Sequence, residues 1–257
     1  MLFARFRHHG RECYGLLEGD RLRPIQGDLF GKHRPLEESV PLTGVTLLAP
    51  LRPGKILAAA VNYRSHVADS SRMLKRDQPP GEPQLFLKPS TSIVGPEEAI
   101  VLPHNAGRVE AEGEMVAVIG RPCRGVSPGE ALEYVFGYTC GNDVSARDWQ
   151  REDLQRWRGK GSDTFAPIGP FIATGLDPSG PELRTHLNGR EVQGTSTANL
   201  IYGVAELISF ASRWMTLEPG DLLFTGTPGE TPVLSPGDVV EVEIAGIGVL
   251  CNPVISA

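Results

Sequence analysis

Short apolar runs of strand length dominate this chain and restrict the folds that it can form. Residues 55–61 (KILAAAV) and 115–119 (MVAVI) are continuous apolar runs, as expected of strands that are buried on both faces. Residues 240–244 instead alternate apolar and acidic side chains, which is typical of a half-buried strand. No regular alternation of strands with helices is visible, so the sequence predicts a β-rich α+β fold rather than a parallel βαβ sheet.

Turn and capping signals place the hairpins and the few helices. Asn188-Gly189 predicts a two-residue hairpin turn within residues 185–192, and a second hairpin is predicted over residues 238–250. Serine start signals at Ser127 and Ser145, and apolar residues at helical spacing further along, predict the helices. The predicted helical segments are residues 127–135, 145–154 and 199–214.

Length and charge limit the class of protein. A chain of 257 residues fits one large core, residues 51–257, with a small β-rich N-terminal domain over residues 1–50. No apolar stretch is long enough to span a membrane, and the four scattered cysteines are typical of a reducing cytoplasm. The net charge of −6 and the absence of long basic runs argue against nucleic acid as a partner. The three tryptophans are expected to pack in the core.

Acidic residues in two places form the most informative pattern. Glu110, Glu112 and Glu114 alternate along a predicted strand and would share one face. Asp143 follows a separate apolar run, residues 134–140. A solvated acidic edge is the commoner explanation of such a pattern, and a cation site is the alternative. Glu114 argues against the solvated edge, because it adjoins a run that should be buried. Carboxylates without sulfur or imidazole suit a hard ion such as Mg²⁺ or Mn²⁺.

A series of colinear motifs over residues 55–254 resembles the fumarylacetoacetate hydrolase superfamily, and within it the acylpyruvase and hydroxyhepta-diene-dioate isomerase-decarboxylase branch. The motifs are VNYRSH (61–66), QLFLKPST (84–91), EGEMVAVIG (112–120), GNDVSARDWQ (141–150), GKGSDTFAPIGP (159–170), LNGREVQGTST (187–197) and TGTPG (225–229). The resemblance implies a mixed β-sandwich roll with a small N-terminal domain, usually assembled as a homodimer.

The resemblance also implies which residues hold the cation. The acids of the E-x-E and N-D-V-S-x-R-D motifs, which are metal ligands in the superfamily, fall on Glu112, Glu114 and Asp143. Glu110 is outside the motif and is predicted to be solvated. Mg²⁺ or Mn²⁺ is therefore the expected cofactor.

His66, Asp69 and Lys160 are predicted to be catalytic residues. His66 is a neutral-pH base that Asp69 can orient, and the superfamily carries a histidine and an acid at this spacing in its lid. Many members have glutamate at the position of Asp69. Lys160 lies among glycines where the superfamily places a site lysine, and it would supply positive charge for an anionic substrate.

Three more residues are predicted to bind the substrate. Arg147 can clamp a carboxylate with its guanidinium fork, or pair with a neighbouring helix acid instead. Gln150 and Thr227 are substrate contacts by motif position, whereas Lys88 is interpreted as structural. Many members continue the TGTP motif with A-G-V-G-P, but this chain has Gly229-Glu230-Thr231-Pro232.

The implied activity is metal-dependent chemistry on a small 2-oxo acid. The leading hypothesis is hydrolytic cleavage of a carbon–carbon bond in a 2,4-dioxo acid of the acylpyruvate type. Decarboxylation of oxaloacetate, its tautomerisation, and isomerisation of a 2-hydroxymuconate-type acid in aromatic compound catabolism stay open as alternatives. A non-catalytic binding module is a further alternative, against which the retention of all three acids argues.

Overall fold

The computed structural model describes residues 1–65 and 80–257. Strands make up most of the regular structure in these ranges, which confirms the predicted β-rich α+β fold. The strands are β1 (Leu2–His8), β2 (Arg11–Glu18), β3 (Arg21–Gly27), β4 (His33–Pro35), β5 (Val40–Pro41), β6 (Thr46–Leu48), β7 (Ile56–Ala60), β8 (Gln84–Lys88), β9 (Ile93–Val94), β10 (Ile100–Leu102), β11 (Val109–Glu110), β12 (Gly113–Ile119), β13 (Val135–Asn142), β14 (Ser145–Ala146), β15 (Ala166–Ala173), β16 (Glu182–Leu187), β17 (Arg190–Ser196), β18 (Leu222–Phe224), β19 (Val239–Ile244) and β20 (Gly248–Ser256).

Four α-helices lie entirely within the described ranges. They are α1 (Pro128–Ala131), α2 (Arg147–Glu152), α3 (Trp157–Gly161) and α4 (Val204–Trp214). Short 3₁₀ helices cover Leu42–Gly44, Ser90–Ser92, Leu132–Tyr134 and Thr197–Asn199. None of the helices in the part of the chain that the structure describes is long and apolar enough to cross a membrane.

Two large sheets organise the described residues. One has 13 strands, with β4-β3-β2-β1-β15-β13-β12-β18-β7-β8 as its main path, and the other has 5, in the order β10-β20-β19-β16-β17. Strands β11 and β14 form a separate pair. Leu183 and Val242 of the smaller sheet share a core cluster with Met115 of the larger one and with Leu207 of α4. The sheets therefore pack as a sandwich that α4 covers.

Strand β12 lies inside this sandwich and is buried along its whole length. It pairs antiparallel with β13 and with β18. Met115 and Ala117 contribute to one core cluster, whereas Val116 and Val118 contribute to another on the opposite face. Burial of both faces explains why the sequence of β12 is a continuous apolar run rather than an alternating one.

The N-terminal strands join the same large sheet. Strand β1 pairs antiparallel with β15, where Leu2 lies opposite Ala173 and Phe3 lies opposite Ile172. Phe3 is buried in a cluster with Ile172 and with Phe224 of β18. Residues 1–50 therefore share a sheet and a core with the rest of the chain. The division of the chain after residue 50 stays a prediction.

The predicted hairpins are present, while the helix boundaries differ from the predictions. Asn188 and Gly189 connect β16 and β17 with φ angles of 54° and 76°, as a type I′ turn requires. Ser127 caps α1 as predicted, with its backbone N–H donating to Glu130 Oε2 at 3.3 Å. The prediction of a helix from Ser145 was wrong by two residues, because Ser145 and Ala146 pair with β11 before α2 begins.

Two of the tryptophans correct the expectation of core packing. Trp157 is 67% exposed on α3 and Trp214 is 72% exposed at the end of α4. Trp149 packs against a core cluster and is only partly buried. Helical position alone did not distinguish a covered face from an exposed one, because the covering depends on which strands lie against each helix.

Candidate metal centre

The antiparallel pairing of β12 with β13 brings three carboxylates together. Glu112 and Glu114 flank Gly113 at the start of β12, and Gly113 lies opposite Asn142, the last residue of β13. Asp143 follows directly, and its backbone N–H donates to the Glu112 carbonyl at 2.9 Å. The three side chains are buried, and each offers an oxygen within 4.8 Å of the others. This group of acids could hold a metal ion.

A donor of the protein holds one oxygen of each carboxylate. Arg147 Nη2 lies 2.5 Å from Glu112 Oε1. The backbone N–H of Gly226 donates to Glu114 Oε2 at 2.6 Å. Lys88 Nζ donates to Asp143 Oδ1. Anchoring one oxygen of a carboxylate fixes the direction of the other, which is the role of the outer partners around metal ligands.

Lys160 bridges two of the carboxylates through their other oxygens. Its Nζ lies 2.7 Å from Glu112 Oε2 and 2.5 Å from Asp143 Oδ2. Burial alone would lower the pKa of Lys160, but the Asp143 and Glu112 carboxylates outweigh it and raise that pKa. Lys160 is therefore a buried ammonium group that compensates two of the three acids.

The third acid, Glu114, lies beside two other buried carboxylates. Burial, together with the neighbouring Asp143 and Glu112 carboxylates, raises the pKa of Glu114 well above its ordinary value. Burial also lowers the pKa of Lys88, against the attraction of Asp143. A divalent cation would relieve the repulsion among the acids, and a set made only of carboxylate oxygens suits Mg²⁺ or Mn²⁺. The residues present therefore fit the expected cofactor.

Glu110 corrects a prediction made from the sequence. It was predicted to be solvated, but it is only 3% exposed. Arg147 Nε donates to its Oε2 at 2.5 Å, and Arg108 and Thr231 also donate to its carboxylate. Alternation along a strand could not show this, because Glu110 lies on β11, which pairs with β14 rather than continuing β12.

Of the predicted substrate-binding residues, Arg147 contacts Glu112 and Gln150 contacts Arg147. Besides Glu110 and Glu112, Arg147 bonds Gln150 Oε1 through Nη1 and Thr231 Oγ1 through Nη2, both at 2.9 Å. Arg147 is buried, so the structure places it behind Glu112 rather than as an exposed clamp. Thr227 is buried beside Pro228, in the loop after β18.

Two residues of the site were missed from the sequence. Gln193 on β17 donates to Thr227 Oγ1 at 3.1 Å and to the Pro228 carbonyl at 2.6 Å, and accepts weakly from Gly113 N–H. Lys88 was interpreted as structural, yet it contacts the candidate ligand Asp143. Their positions in the LNGREVQ and LFLKPST motifs were the signals that could have found them.

The predicted His66–Asp69 pair lies outside the described residues. The described chain before it ends at Ser65, whose Oγ accepts from Gly229 N–H at 3.1 Å. Ser65 therefore lies beside the loop that carries Thr227. The catalytic roles of His66 and Asp69 stay predictions.

Comparison with known proteins agrees with the motifs and the fold. The family described as Fumarylacetoacetate (FAA) hydrolase C-terminal matches residues 55–255. A second family, described as Rv2993c-like, N-terminal, matches residues 1–50. The mitochondrial oxaloacetate tautomerase of Rattus norvegicus is 38% identical over 228 residues, which cover 84% of this chain and 71% of that protein.

Solved structures of related enzymes match the whole chain. The 5-carboxymethyl-2-hydroxymuconate delta-isomerase from Mycobacterium smegmatis is 42% identical, with a TM-score of 0.93 and 100% of both chains covered. The maleylpyruvate hydrolase from Sphingobium sp. SYK-6, in complex with manganese (II) ion and pyruvate, is 29% identical, with a TM-score of 0.83 and 100% of both chains covered. These relatives are hydrolases, isomerases and tautomerases, and the chain belongs to the fumarylacetoacetate hydrolase family.

Proposed function

We propose that this chain is a Mg²⁺- or Mn²⁺-dependent enzyme that hydrolyses a carbon–carbon bond in a 2,4-dioxo acid of the acylpyruvate type. The observation that carries the proposal is the group of three buried carboxylates, each of which is oriented by at least one donor of the protein. Lys160 and Lys88 compensate part of the charge on these acids, and a divalent cation would relieve the remaining repulsion, because like charges repel strongly in a buried site. The related hydrolase that holds manganese and pyruvate supports the same interpretation.

A divalent cation held by Glu112, Glu114 and Asp143 would supply Lewis-acid chemistry, in which it polarises carbonyl and carboxylate oxygens and stabilises negative charge on them. Hydrolysis between C3 and C4 of a 2,4-dioxo acid leaves an electron pair on C3 that spreads onto the 2-oxo oxygen. The site must therefore accept anionic oxygen in a protein whose net charge is −6.

The side chains of this chain would perform the binding and the proton transfers. Lys160 lies between two candidate ligands, where its ammonium group can donate to an anionic oxygen of the substrate. Gln150 and Thr227 would orient the substrate by hydrogen bonds. His66, oriented by Asp69, would take a proton from the water that attacks the 4-carbonyl group. That proton would then pass to C3 of the departing pyruvate.

The size of each contribution leads to a prediction. A positioned general base gives roughly 10²–10⁴-fold acceleration. We therefore expect His66→Ala to lower kcat by about that factor without abolishing activity. Steady-state kinetics with saturating Mn²⁺ would check this, and an unchanged kcat would exclude His66 as the base.

A second group of reactions is supported by the relatives. The tautomerase and the isomerase act on related acids within the same family. Tautomerisation or isomerisation needs the cation and a proton shuttle but no attacking water. Decarboxylation of oxaloacetate needs the cation and a proton for C3 of the enolate that remains, again without an attacking water. The described carboxylates and Lys160 would serve all of these reactions, so the alternative is a decarboxylase, tautomerase or isomerase of 2-oxo acids.

A turnover screen would decide between these activities. The purified protein would be assayed with Mg²⁺, Mn²⁺ or EDTA on acylpyruvates, oxaloacetate and homoprotocatechuate-pathway intermediates, and Asp143→Asn would be the control for metal-dependent turnover. We expect cleavage of an acylpyruvate that EDTA and Asp143→Asn both abolish. Turnover of oxaloacetate or a diene acid without acylpyruvate cleavage would favour the second group of reactions. No turnover of any of these compounds, with no cation bound, would favour a non-catalytic module.

A further inference from the structure

Glu110 lies at the centre of a buried network beside the carboxylate site. Its Oε2 accepts from Arg147 Nε at 2.5 Å and from the Thr231 hydroxyl, while its Oε1 accepts from Arg108. Burial opposes the charge on Glu110, but Arg147, Thr231 and Arg108 keep its pKa below the ordinary value. Glu110 is therefore a buried anion whose partners hold it in one orientation.

Arg147 connects this network to a candidate metal ligand. Its Nη2 contacts Glu112 Oε1 at 2.5 Å and Thr231 Oγ1 at 2.9 Å. A guanidinium group is planar, so fixing its Nε edge against Glu110 also fixes the direction of Nη2. The orientation of Glu110 thereby determines how Arg147 holds Oε1 of Glu112, and hence where Oε2 of Glu112 points.

Thr231 belongs to the loop whose sequence departs from the common A-G-V-G-P pattern. The backbone that follows Thr231 runs alongside residues 109–111, because Ala111 N–H donates to the Pro232 carbonyl at 3.0 Å and Leu234 N–H donates to the Val109 carbonyl at 2.9 Å. The other end of the loop reaches the ligands through Gly226 N–H, which donates to Glu114 at 2.6 Å. The loop over residues 226–232 is therefore bonded at both ends to the chain segment that carries the ligands.

We infer that Glu110 and Thr231 are positioning residues, through which Arg147 aligns the cation ligand Glu112 and couples it to the loop over residues 229–232. The inference rests on the proposed function in taking Glu112 as a ligand. It adds that Glu110, which is outside the ligand motif, influences the affinity for the cation. It also adds that Thr231 couples the conformation of the loop to that affinity.

Calorimetric titration of the metal-free protein with Mn²⁺ tests the role of Glu110. Glu110→Gln keeps the shape of the side chain but removes its charge, and we expect it to weaken Mn²⁺ binding by about 10–100-fold, as loss of an outer partner of a ligand does. Asp221→Asn is the matched control, because Asp221 is also a buried acid and pairs with the lysine Lys55. It lies directly before β18, whereas the loop that contacts the ligands follows β18. The control should bind Mn²⁺ within about threefold of the wild type.

A pair of variants at Thr231 tests the coupling to the loop. Thr231→Val removes the hydroxyl group, whereas Thr231→Ser keeps it. We expect Thr231→Val to increase amide hydrogen exchange about tenfold in peptides that cover residues 229–234, and to weaken Mn²⁺ binding by about threefold to tenfold. Thr231→Ser should restore both values. A general loss of stability would lower the melting temperature without raising exchange specifically in residues 229–234 and without weakening Mn²⁺ binding.

The outcomes separate the inference from the proposed function. A wild-type protein that binds no Mn²⁺ would overturn the proposed function and the inference together. Wild-type binding that Glu110→Gln leaves unchanged would overturn the inference alone. If Glu110→Gln does not fold, the Thr231 pair decides, because equal exchange and equal Mn²⁺ affinity in Thr231→Val and Thr231→Ser would contradict the coupling.

Discussion

Glu114 is a buried carboxyl group whose pKa depends on the two acids beside it. Burial and the adjacent Asp143 and Glu112 carboxylates raise its pKa in the folded protein above the ordinary value of 4.5. The folded state then binds the Glu114 proton more tightly than the unfolded state does. The contribution of Glu114 to stability is therefore most favourable at low pH and falls as the pH rises above 4.5.

This shift gives a prediction about pH. In the metal-free protein, Glu114→Gln removes the ionisable group, so the free energy of unfolding of the variant minus that of the wild type should increase as the pH rises from 4.5. Urea unfolding at several pH values would measure the difference. A difference that stays constant or decreases with pH would contradict the pKa shift. With saturating Mn²⁺ the wild type should be more stable than Glu114→Gln, because the cation binds and stabilises the wild type selectively.

Lys160 leads to a prediction about charge compensation. Lys160→Met leaves Glu112 and Asp143 without their shared ammonium group, and breaking a buried pair in this way costs about 3–5 kcal/mol. Mn²⁺ should recover part of this loss, because the cation compensates the same carboxylates. Lys55→Met, which breaks the Lys55–Asp221 pair, is the control and should lose stability equally with and without Mn²⁺. Equal losses in Lys160→Met with and without Mn²⁺ would argue against a cation at these acids.

At the residue scale, the sequence indicated which acids could meet but not what surrounds them. The E-x-E spacing and the strand before Asp143 indicated an acidic cluster, and the colinear motifs selected Glu112, Glu114 and Asp143 from it. The burial of Glu110 could not be predicted, because it depends on Arg147 and Thr231, which are distant in the sequence. The exposure of Trp157 and Trp214 was missed for the same reason.

At the scale of elements, strand β12 joins the metal site to the packing of the two sheets. Gly113 lies between the two glutamates, and a Cβ atom added there would stand 2.1 Å from Thr185 Oγ1 of β16. The smaller sheet therefore packs directly against the backbone that carries the ligands. The position of the site and the spacing of the sheets depend on the same residue.

Gly113→Ala tests this dependence. Overpacking a core typically costs about 1–3 kcal/mol, and relief of the clash requires the buried Thr185 side chain or β12 to move, so we expect lower stability and weaker Mn²⁺ binding together. Gly129→Ala is the control: Gly129 lies in α1 with no atom near its Cβ position, and alanine there should stabilise the protein by about 0.5–1 kcal/mol. Normal Mn²⁺ affinity in a destabilised Gly113→Ala protein would show that the site and the sheet packing are independent.

Element types were predictable where the local signal was strong. Asn188-Gly189 adopts the positive φ angles that its turn type requires, and the continuous apolar run of β12 is a strand buried on both faces. The start of α2 was misplaced because Ser145 and Ala146 pair with β11, a partner from a distant part of the chain. Similarly, α4 begins at Val204 rather than at residue 199.

At the scale of the whole molecule, the N-terminal strands and the site strand share one sheet and one core. Phe3 on β1 is buried in the cluster that contains Val116 of β12 and Phe224 of β18. The sequence suggested an appendage, since its turns are frequent and its apolar pieces are short. The pairing of β1 with β15 could not be anticipated, because the two strands are far apart in the chain.

The shared core predicts cooperative unfolding. We expect Phe3→Ala to destabilise the whole protein by about 3–5 kcal/mol, because it leaves a cavity between the N-terminal strands and the site strand. Near-UV circular dichroism and Mn²⁺ release should follow one urea transition in the wild type and in the variant. An early transition confined to residues 1–50, with Mn²⁺ still bound, would contradict the shared core.

Glu112, Glu114 and Asp143 of the folded chain are proposed to hold a single divalent cation. Calorimetric titration of the metal-free protein with Mn²⁺ tests this proposal most directly, with Asp143→Asn as the matched variant because asparagine keeps the shape and loses the charge. We predict one Mn²⁺ bound per wild-type chain and an affinity at least about 100-fold weaker in Asp143→Asn. Absence of binding to the wild type, or equal affinity in the two proteins, would contradict a cation site at these three acids.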